Sequence, residues 1–189
     1  PDLIPWARMA PRPELEAWYR RTNRDLRGRR CLVVGCGLGD DAEFLAQAGG
    51  EVTAFDIAPT AVAWCQRRFP ESSVSYVVAD LLNPPEAWRR HFDFILECNT
   101  LQTMRADARA RAMTSLASLV APGGRLLVIC RGREPDEPLA ERLHRAPPVA
   151  SLQRRPARDR GPAAPGRHRA IARQRLAQPP VAEVTRPQL

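Results

Sequence analysis

Apolar residues along this chain recur in two rhythms. Short runs at 31–34 (CLVV), 51–56 (EVTAFD), 74–80 (VSYVVAD), 92–97 (FDFILE) and 125–130 (RLLVIC) have the length and β-branched or aromatic content of strands covered on both faces. Between them apolar residues return every three or four positions. Phe44, Leu45 and Ala48 mark a helix over 40–48, which Gly49-Gly50 would stop. Pro59-Thr60 opens a second, with Ala61, Trp64, Cys65 and Phe69 on its apolar side, so Trp64 is expected in the core. Further helices are predicted over 14–24 and 106–120. Strands alternating with helices predict an α/β fold, a Rossmann-like doubly wound parallel sheet.

After Glu134 the rhythm stops. Residues 138–189 hold nine prolines and no Phe, Tyr or Trp, too little apolar surface to offset the entropy of ordering. The chain is therefore read as two parts: a domain over 1–137 and an irregular Arg/Pro/Ala-rich tail over 138–189. The net charge of +8 belongs to the tail. Residues 1–137 balance 18 Arg against 18 acids, whereas the tail sets 11 Arg against Glu141, Asp159 and Glu183. Such a tail can contact nucleic-acid phosphates, but without stacking aromatics or a reading motif nucleic acid is the disfavoured partner.

No run reaches the length of a membrane span, and no signal peptide is visible, although the chain does not begin with Met. Cys31, Cys36, Cys65, Cys98 and Cys130 show no CxxC spacing, which argues against a zinc site or a disulfide framework. The expectation is a cytoplasmic protein with reduced thiols and no metal.

Candidate chemistry gathers at the ends of the strands. In doubly wound sheets ligands sit outside the carboxyl ends of the strands, and there the sequence places Gly35, Gly37 and Gly39, then Asp56, Asp80 and Glu97. Glycines let a ligand approach backbone with no Cβ between them. Asp56 follows Gly35 by 21 residues, a distance suited to a carboxylate on ribose hydroxyls. The loop reads GCGLGD, a GxGxG pattern, where an NAD fingerprint needs GxGxxG. His91 precedes the fourth strand and is expected at the opposite edge, in a structural role.

These residues resemble class I S-adenosylmethionine-dependent methyltransferases over roughly residues 5–133. The resemblance rests on VVGCGLG, VTAFDIAPTAV, VVADLL, FDFILECNTLQTM and LVAPGGRLLVI. It implies S-adenosyl-L-methionine as cofactor. The loop of Gly35, Cys36, Gly37 and Gly39 would face its methionine portion, Asp56 its ribose, Ile57 its adenine face, and Asp80 with Leu81 the adenine edge. Glu97 is the candidate for a further cofactor contact or a catalytic base. Many members carry an acid two residues before the first glycine, where this chain has Val33. The form LVxGCGxGxDxxxLAxxGxxVxxxD, with IPW near the start, looks like the thiopurine, thiol, halide and tellurite branch, which implies small soft nucleophiles. Trp6 is a candidate cover for cofactor or substrate.

The resemblance also implies a final helix and an antiparallel hairpin, and 138–189 show no such pattern. The tail is expected to be truncated, diverged or out of frame, leaving the C-terminal strands missing. Three functions follow: methyl transfer to a small-molecule nucleophile, cofactor binding with an incomplete substrate pocket, and a nucleic-acid methyltransferase or binder using the tail. Methyl acceptor and oligomeric state stay open.

Overall fold

The computed structural model describes residues 9–130 and, as backbone, a strand at Val181–Thr185. Chain order is α1 (Pro13–Thr22), β1 (Arg30–Val34), α2 (Asp40–Gln47), β2 (Glu51–Asp56), α3 (Pro59–Arg68), β3 (Ser75–Val78), β4 (Phe92–Cys98), α4 (Ala106–Leu119), β5 (Val120–Ile129) and β6 (Val181–Thr185). Short 3-10 turns lie at Glu86–Trp88 and Leu101–Thr103. The sheet order is β3-β2-β1-β4-β5-β6, with β1 to β5 parallel. The order reverses between β1 and β4, which is where a doubly wound sheet opens a crevice.

Side chains leave each strand alternately to two apolar layers. Cys31, Val33, Ala54, Phe94 and Leu96 pack under α1, α2 and α3 through Leu15, Trp18, Leu45 and Cys65. Leu32, Val34, Phe55 and Ile95 face the other way, against Leu116 and Leu119 of α4. Trp18 stacks on Phe94 with ring centroids 5.1 Å apart, fixing α1 across the sheet. Prolines in the first turns of α1 and α3 preset their backbone.

Four expectations change. Trp64 is 41 % exposed, not core; Val62 and Cys65 form the buried face of α3, and Arg67 lies 5.2 Å from the Trp64 ring. The third strand stops at Val78, because Asp80 turns the chain by accepting from the Leu82 amide at 2.8 Å. The fifth strand begins at Val120, and its register slips past Ala121-Pro-Gly-Gly before Arg125 pairs with Phe94. The tail is not irregular throughout. Residues 181–185 run antiparallel to β5, from Val181 opposite Ile129 to Thr185 opposite Arg125. An edge strand offers a row of unpaired amides and carbonyls, and five residues rich in Val and Thr suffice to take them. Residues 131–180, the boundary at 137 and Trp6 with its IPW segment lie outside the described residues. Among the described residues no helix is long and apolar enough to cross a membrane.

Gly39 shows why the loop after β1 needs its last glycine. Its φ is +91°, and a Cβ there would stand 2.6 Å from Tyr76 Oη and 3.1 Å from Cys65 Sγ. Gly39→Ala should therefore destabilise the protein by about 1–3 kcal/mol, the range for overpacking a filled core. Urea unfolding measures this, and an unchanged midpoint would show that α3 and β3 yield freely there.

Candidate functional site

A cavity of about 660 Å³ opens outside the carboxyl ends of β1, β2, β3 and β4. That volume suits a nucleoside-sized ligand. Its floor is the loop after β1. Gly35 has φ +61°, and a Cβ there would lie 2.3 Å from Thr100 Oγ1, so only glycine lets the loops after β1 and β4 meet. Asp56 binds this floor to the end of β2: Oδ2 accepts from the Gly37 amide at 3.1 Å and Oδ1 from the Ala58 amide at 3.0 Å. The Cys36 amide donates to Phe55 O at 2.9 Å, and Cys65 Sγ donates to Gly37 O at 3.2 Å. Arg68 pins the loop from α3 through Leu38 O and both oxygens of Asp40.

The structure brings Gly35, Cys36, Gly37, Gly39, Asp56, Ile57, Asp80 and Leu81 to the cavity wall. Ile57 is 69 % exposed, an apolar side chain at the cavity wall. Asp80 turns its carboxylate to the Leu82 amide and to Asn83 Nδ2. Glu97 does not line the cavity. It is fully buried, and Oε1 accepts from the amides of Thr100 at 2.6 Å and Leu101 at 2.9 Å, while Oε2 has no partner among the described residues. Its place as a strand-end acid is as expected, but the chain folds back over it, so it holds the loop after β4 rather than facing a ligand. His91 lies at the opposite edge of the sheet, its ring against Phe92.

The residues that sequence reasoning missed come from contacts distant along the chain. Arg12 and Asp41 stand 29 positions apart, yet the Arg12 amide donates to Asp41 Oδ1 at 2.7 Å. Arg12 lines the cavity with Asp41, Cys98, Asn99 and Gln102. With its amide turned to accept, Asn99 takes both terminal nitrogens of Arg12 at 3.1 and 3.2 Å. Burial pushes the Asp41 carboxyl up to about 6, and Arg12 opposes that shift only in part. Burial likewise pushes the Cys98 thiol up to about 12, which leaves it a protonated, poor nucleophile. The acid at position 41 appears in the sequence pattern; its meeting with Arg12 does not.

Burial raises the Glu97 carboxyl from 4.5 to about 7, against the two amides that favour its charged form. The folded protein thus keeps a proton that the unfolded chain releases between those values. Stability falls as pH rises through that window, and the penalty is complete above it. A loss on the order of 3 kcal/mol between about pH 5 and 8 should follow from this group. Glu97→Gln keeps an oxygen for both amides and should remove that part of the slope, read as the difference between the two proteins in urea unfolding. Parallel curves would mean that Glu97 is ionised throughout.

A family model described as a methyltransferase domain matches residues 31–124. The chain is 34 % identical to a ubiquinone biosynthesis O-methyltransferase of Xanthomonas euvesicatoria pv. vesicatoria (strain 85-10), across 62 % of this chain and 49 % of that protein. It is 29 % identical to a magnesium-protoporphyrin O-methyltransferase of Rhodobacter capsulatus, across 59 % and 57 %. Among solved structures, the protein reported under conversion of a disulfide bond into a thioacetal group during echinomycin biosynthesis superposes with a TM-score of 0.60 at 28 % identity, covering 68 % of this chain and 52 % of that one. The chain spans about half the length of the curated relatives it matches. The matched stretch contains the glycine loop, the strand-end acids and the order reversal that form the cavity, and through residues 31–124 the chain belongs to the class I S-adenosylmethionine-dependent methyltransferase family.

Proposed function

We propose that this chain transfers a methyl group from S-adenosylmethionine to a small-molecule nucleophile. The observation that carries the reading is the cavity itself, in which the glycine loop, Asp56, Ile57, Asp80 and Leu81 converge at the order reversal of the sheet. These residues fit the cofactor. Gly35, Cys36, Gly37 and Gly39 present backbone to the methionine portion, Asp56 keeps lone pairs for ribose hydroxyls, Ile57 offers an apolar face to adenine, and Asp80 with Leu81 borders the adenine edge. Arg12, beside Asp41 and Asn99, suits a carboxylate.

When bound, the cofactor supplies an electrophilic methyl on a sulfonium. The protein then contributes alignment: both ligands held in one cavity whose walls are tied by Asp56, Arg68 and Glu97. The acceptor is proposed to be a hydroxyl, supported by relatives named as O-methyltransferases. A second reading, transfer to a thiol, halide or tellurite, is favoured by the burial of Glu97. An anionic nucleophile needs no proton acceptor, and the expected base is sealed away. Five free thiols support a reducing, cytoplasmic setting.

Calorimetry should show S-adenosylmethionine and S-adenosylhomocysteine binding more tightly than NAD. Tighter NAD binding would end the assignment. Asp56→Ala should weaken either adenosyl ligand by about 1–3 kcal/mol, the cost of stranding hydrogen-bonding groups. Unchanged affinity in a folded variant would remove Asp56 from the ribose. Methyl-transfer assays with a phenol, a thiol and iodide separate the acceptor classes: turnover of the phenol alone supports the hydroxyl reading, and turnover of thiol or iodide alone the second. Binding without turnover of any small acceptor, or turnover of RNA alone, would overturn both.

A further inference from the structure

The thiols of this chain differ in their surroundings. Cys31 Sγ donates to Arg29 O at 3.3 Å at the start of β1, and Cys98 stands near Arg12 and Asp41. Cys36 and Cys65 meet each other. Cys36 lies in the loop after β1 and lines the cavity, Cys65 is fully buried on α3, and the Cys36 thiol is hydrogen-bonded to the Cys65 sulfur. Backbone contacts hold both in place. Cys65 Sγ donates to the carbonyl of Gly37, the residue after Cys36, at 3.2 Å, and a Cβ on Gly39 would stand 3.1 Å from the same sulfur. The Cys36 amide is tied to Phe55 O at 2.9 Å, so neither segment is free to carry its sulfur away. Methyl transfer as proposed above uses the backbone of Cys36 and neither sulfur, which leaves the pair without a role.

We propose that Cys36 and Cys65 are a redox-active dithiol, which a peroxide entering the cavity converts to a disulfide, and that this bond withdraws the loop after β1 from its ligand. The loss of ligand rests on the cavity being the S-adenosylmethionine site; the disulfide does not. Cys36 is 9 % exposed against 0 % for Cys65, so it is the sulfur that a small oxidant reaches. One peroxide oxygen bonds to Cys36 Sγ as the O–O bond breaks, leaving a sulfenic acid and one water. Cys65 Sγ then attacks that sulfur: the S–S bond forms, the S–O bond breaks and a second water departs. Two thiol hydrogens and two electrons pass to the peroxide, which ends as two waters. The hydrogen bond from Cys36 lowers the Cys65 thiol, and Arg68 adds to this against burial, which suits Cys65 to the second attack. Closing the sulfurs to about 2.05 Å removes the hydrogen that Gly37 O accepts and draws Cys36 toward α3. A ligand that needs the reduced loop must, by linkage, disfavour the disulfide as strongly as the disulfide disfavours it.

The test treats the full chain with hydrogen peroxide and reads the product by mass and by calorimetry. The protein should lose two hydrogens and two of its five free thiols. Cleavage after Glu43 and Glu51 separates the two cysteines, so fragment masses should show Cys36 joined to Cys65. Affinity for S-adenosylhomocysteine should fall about tenfold on oxidation and return with dithiothreitol, and saturating S-adenosylhomocysteine should slow formation of the bond. Cys65→Ser keeps a donor for Gly37 O but has no second sulfur; its Cys36 should stop at a sulfenic acid that dimedone traps. Cys36→Ser, should Cys65→Ser not fold, should give no crosslink and no dimedone adduct at Cys65. A crosslink to Cys31 or Cys98 instead, no crosslink, or a crosslinked protein with unchanged affinity would each overturn the proposal. If the reduced protein binds neither S-adenosylmethionine nor S-adenosylhomocysteine, the cofactor reading fails and takes the ligand-release half with it; absence of the crosslink in a protein that binds them overturns this proposal alone.

Discussion

Carboxylates at the ends of parallel strands take the backbone amides that the sheet leaves unpaired, and the rest of the structure depends on those bonds. Asp56 serves the loop after its own strand and the loop after β1; Asp80 serves the turn after β3; Glu97 serves the turn after β4. Amide hydrogen bonds of this kind contribute about 0.5–1.5 kcal/mol each, and more where the acceptor is charged. The bond from Gly37 to Asp56 matters most, because it joins two exit loops at the point where the strand order reverses. The cavity exists because those loops are held apart from the sheet and close to each other. Fold and site are built with the same atoms.

A second set of contacts stiffens this frame from behind. Glu43 at the start of α2 accepts from Tyr76 and Ser72, both at 2.6 Å, tying that helix to β3 and the chain before it. Arg109, buried on α4, donates to Leu101 O at 3.0 Å and Met104 O at 2.6 Å. Glu97 holds the amides of Thr100 and Leu101 while Arg109 holds the carbonyls of Leu101 and Met104, so the cavity wall carrying Asn99, Thr100 and Gln102 is gripped from both ends. Such support keeps a site in register while its own side chains stay free for a ligand.

Most of the sheet was legible in the sequence because its strands are buried on both faces and so read as continuous apolar runs. A helix start was legible at Pro59, where ring geometry presets the first turn; Pro13 opens α1 in the same way, one residue before the helix expected over 14–24. Trp64 was misjudged because helical spacing identifies a stripe without saying which neighbouring stripe faces the sheet; Val62 and Cys65 do. Glu97 was misjudged because an acid at a strand end has two physical meanings, loop support and ligand contact, with one sequence signature. Arg12 with Asp41 was invisible, being a contact between segments whose nearness only the packed α1 creates. The strand at 181–185 was missed since five residues are too short a signal beside a Pro-rich, Arg-rich stretch.

Accessibility of the second oxygen separates the two meanings of a strand-end or cavity acid. Glu97 and Asp41 both carry raised carboxyls from burial, and each makes the empty protein less stable once ionised. Glu97 is sealed, so no ligand can relieve it and its charge is a matter for the fold alone. Asp41 has an oxygen that is not sealed in the fold and lies in the cavity wall, so its charge faces the cavity as well as the protein. The basic excess of the chain lies in residues 138–189, while the cavity sets Asp41, Asp56 and Asp80 against Arg12, Asp40 being paired with Arg68. A site of that sign within a balanced domain favours a positively charged ligand before any contact is made, by focusing the field in a low-dielectric cleft.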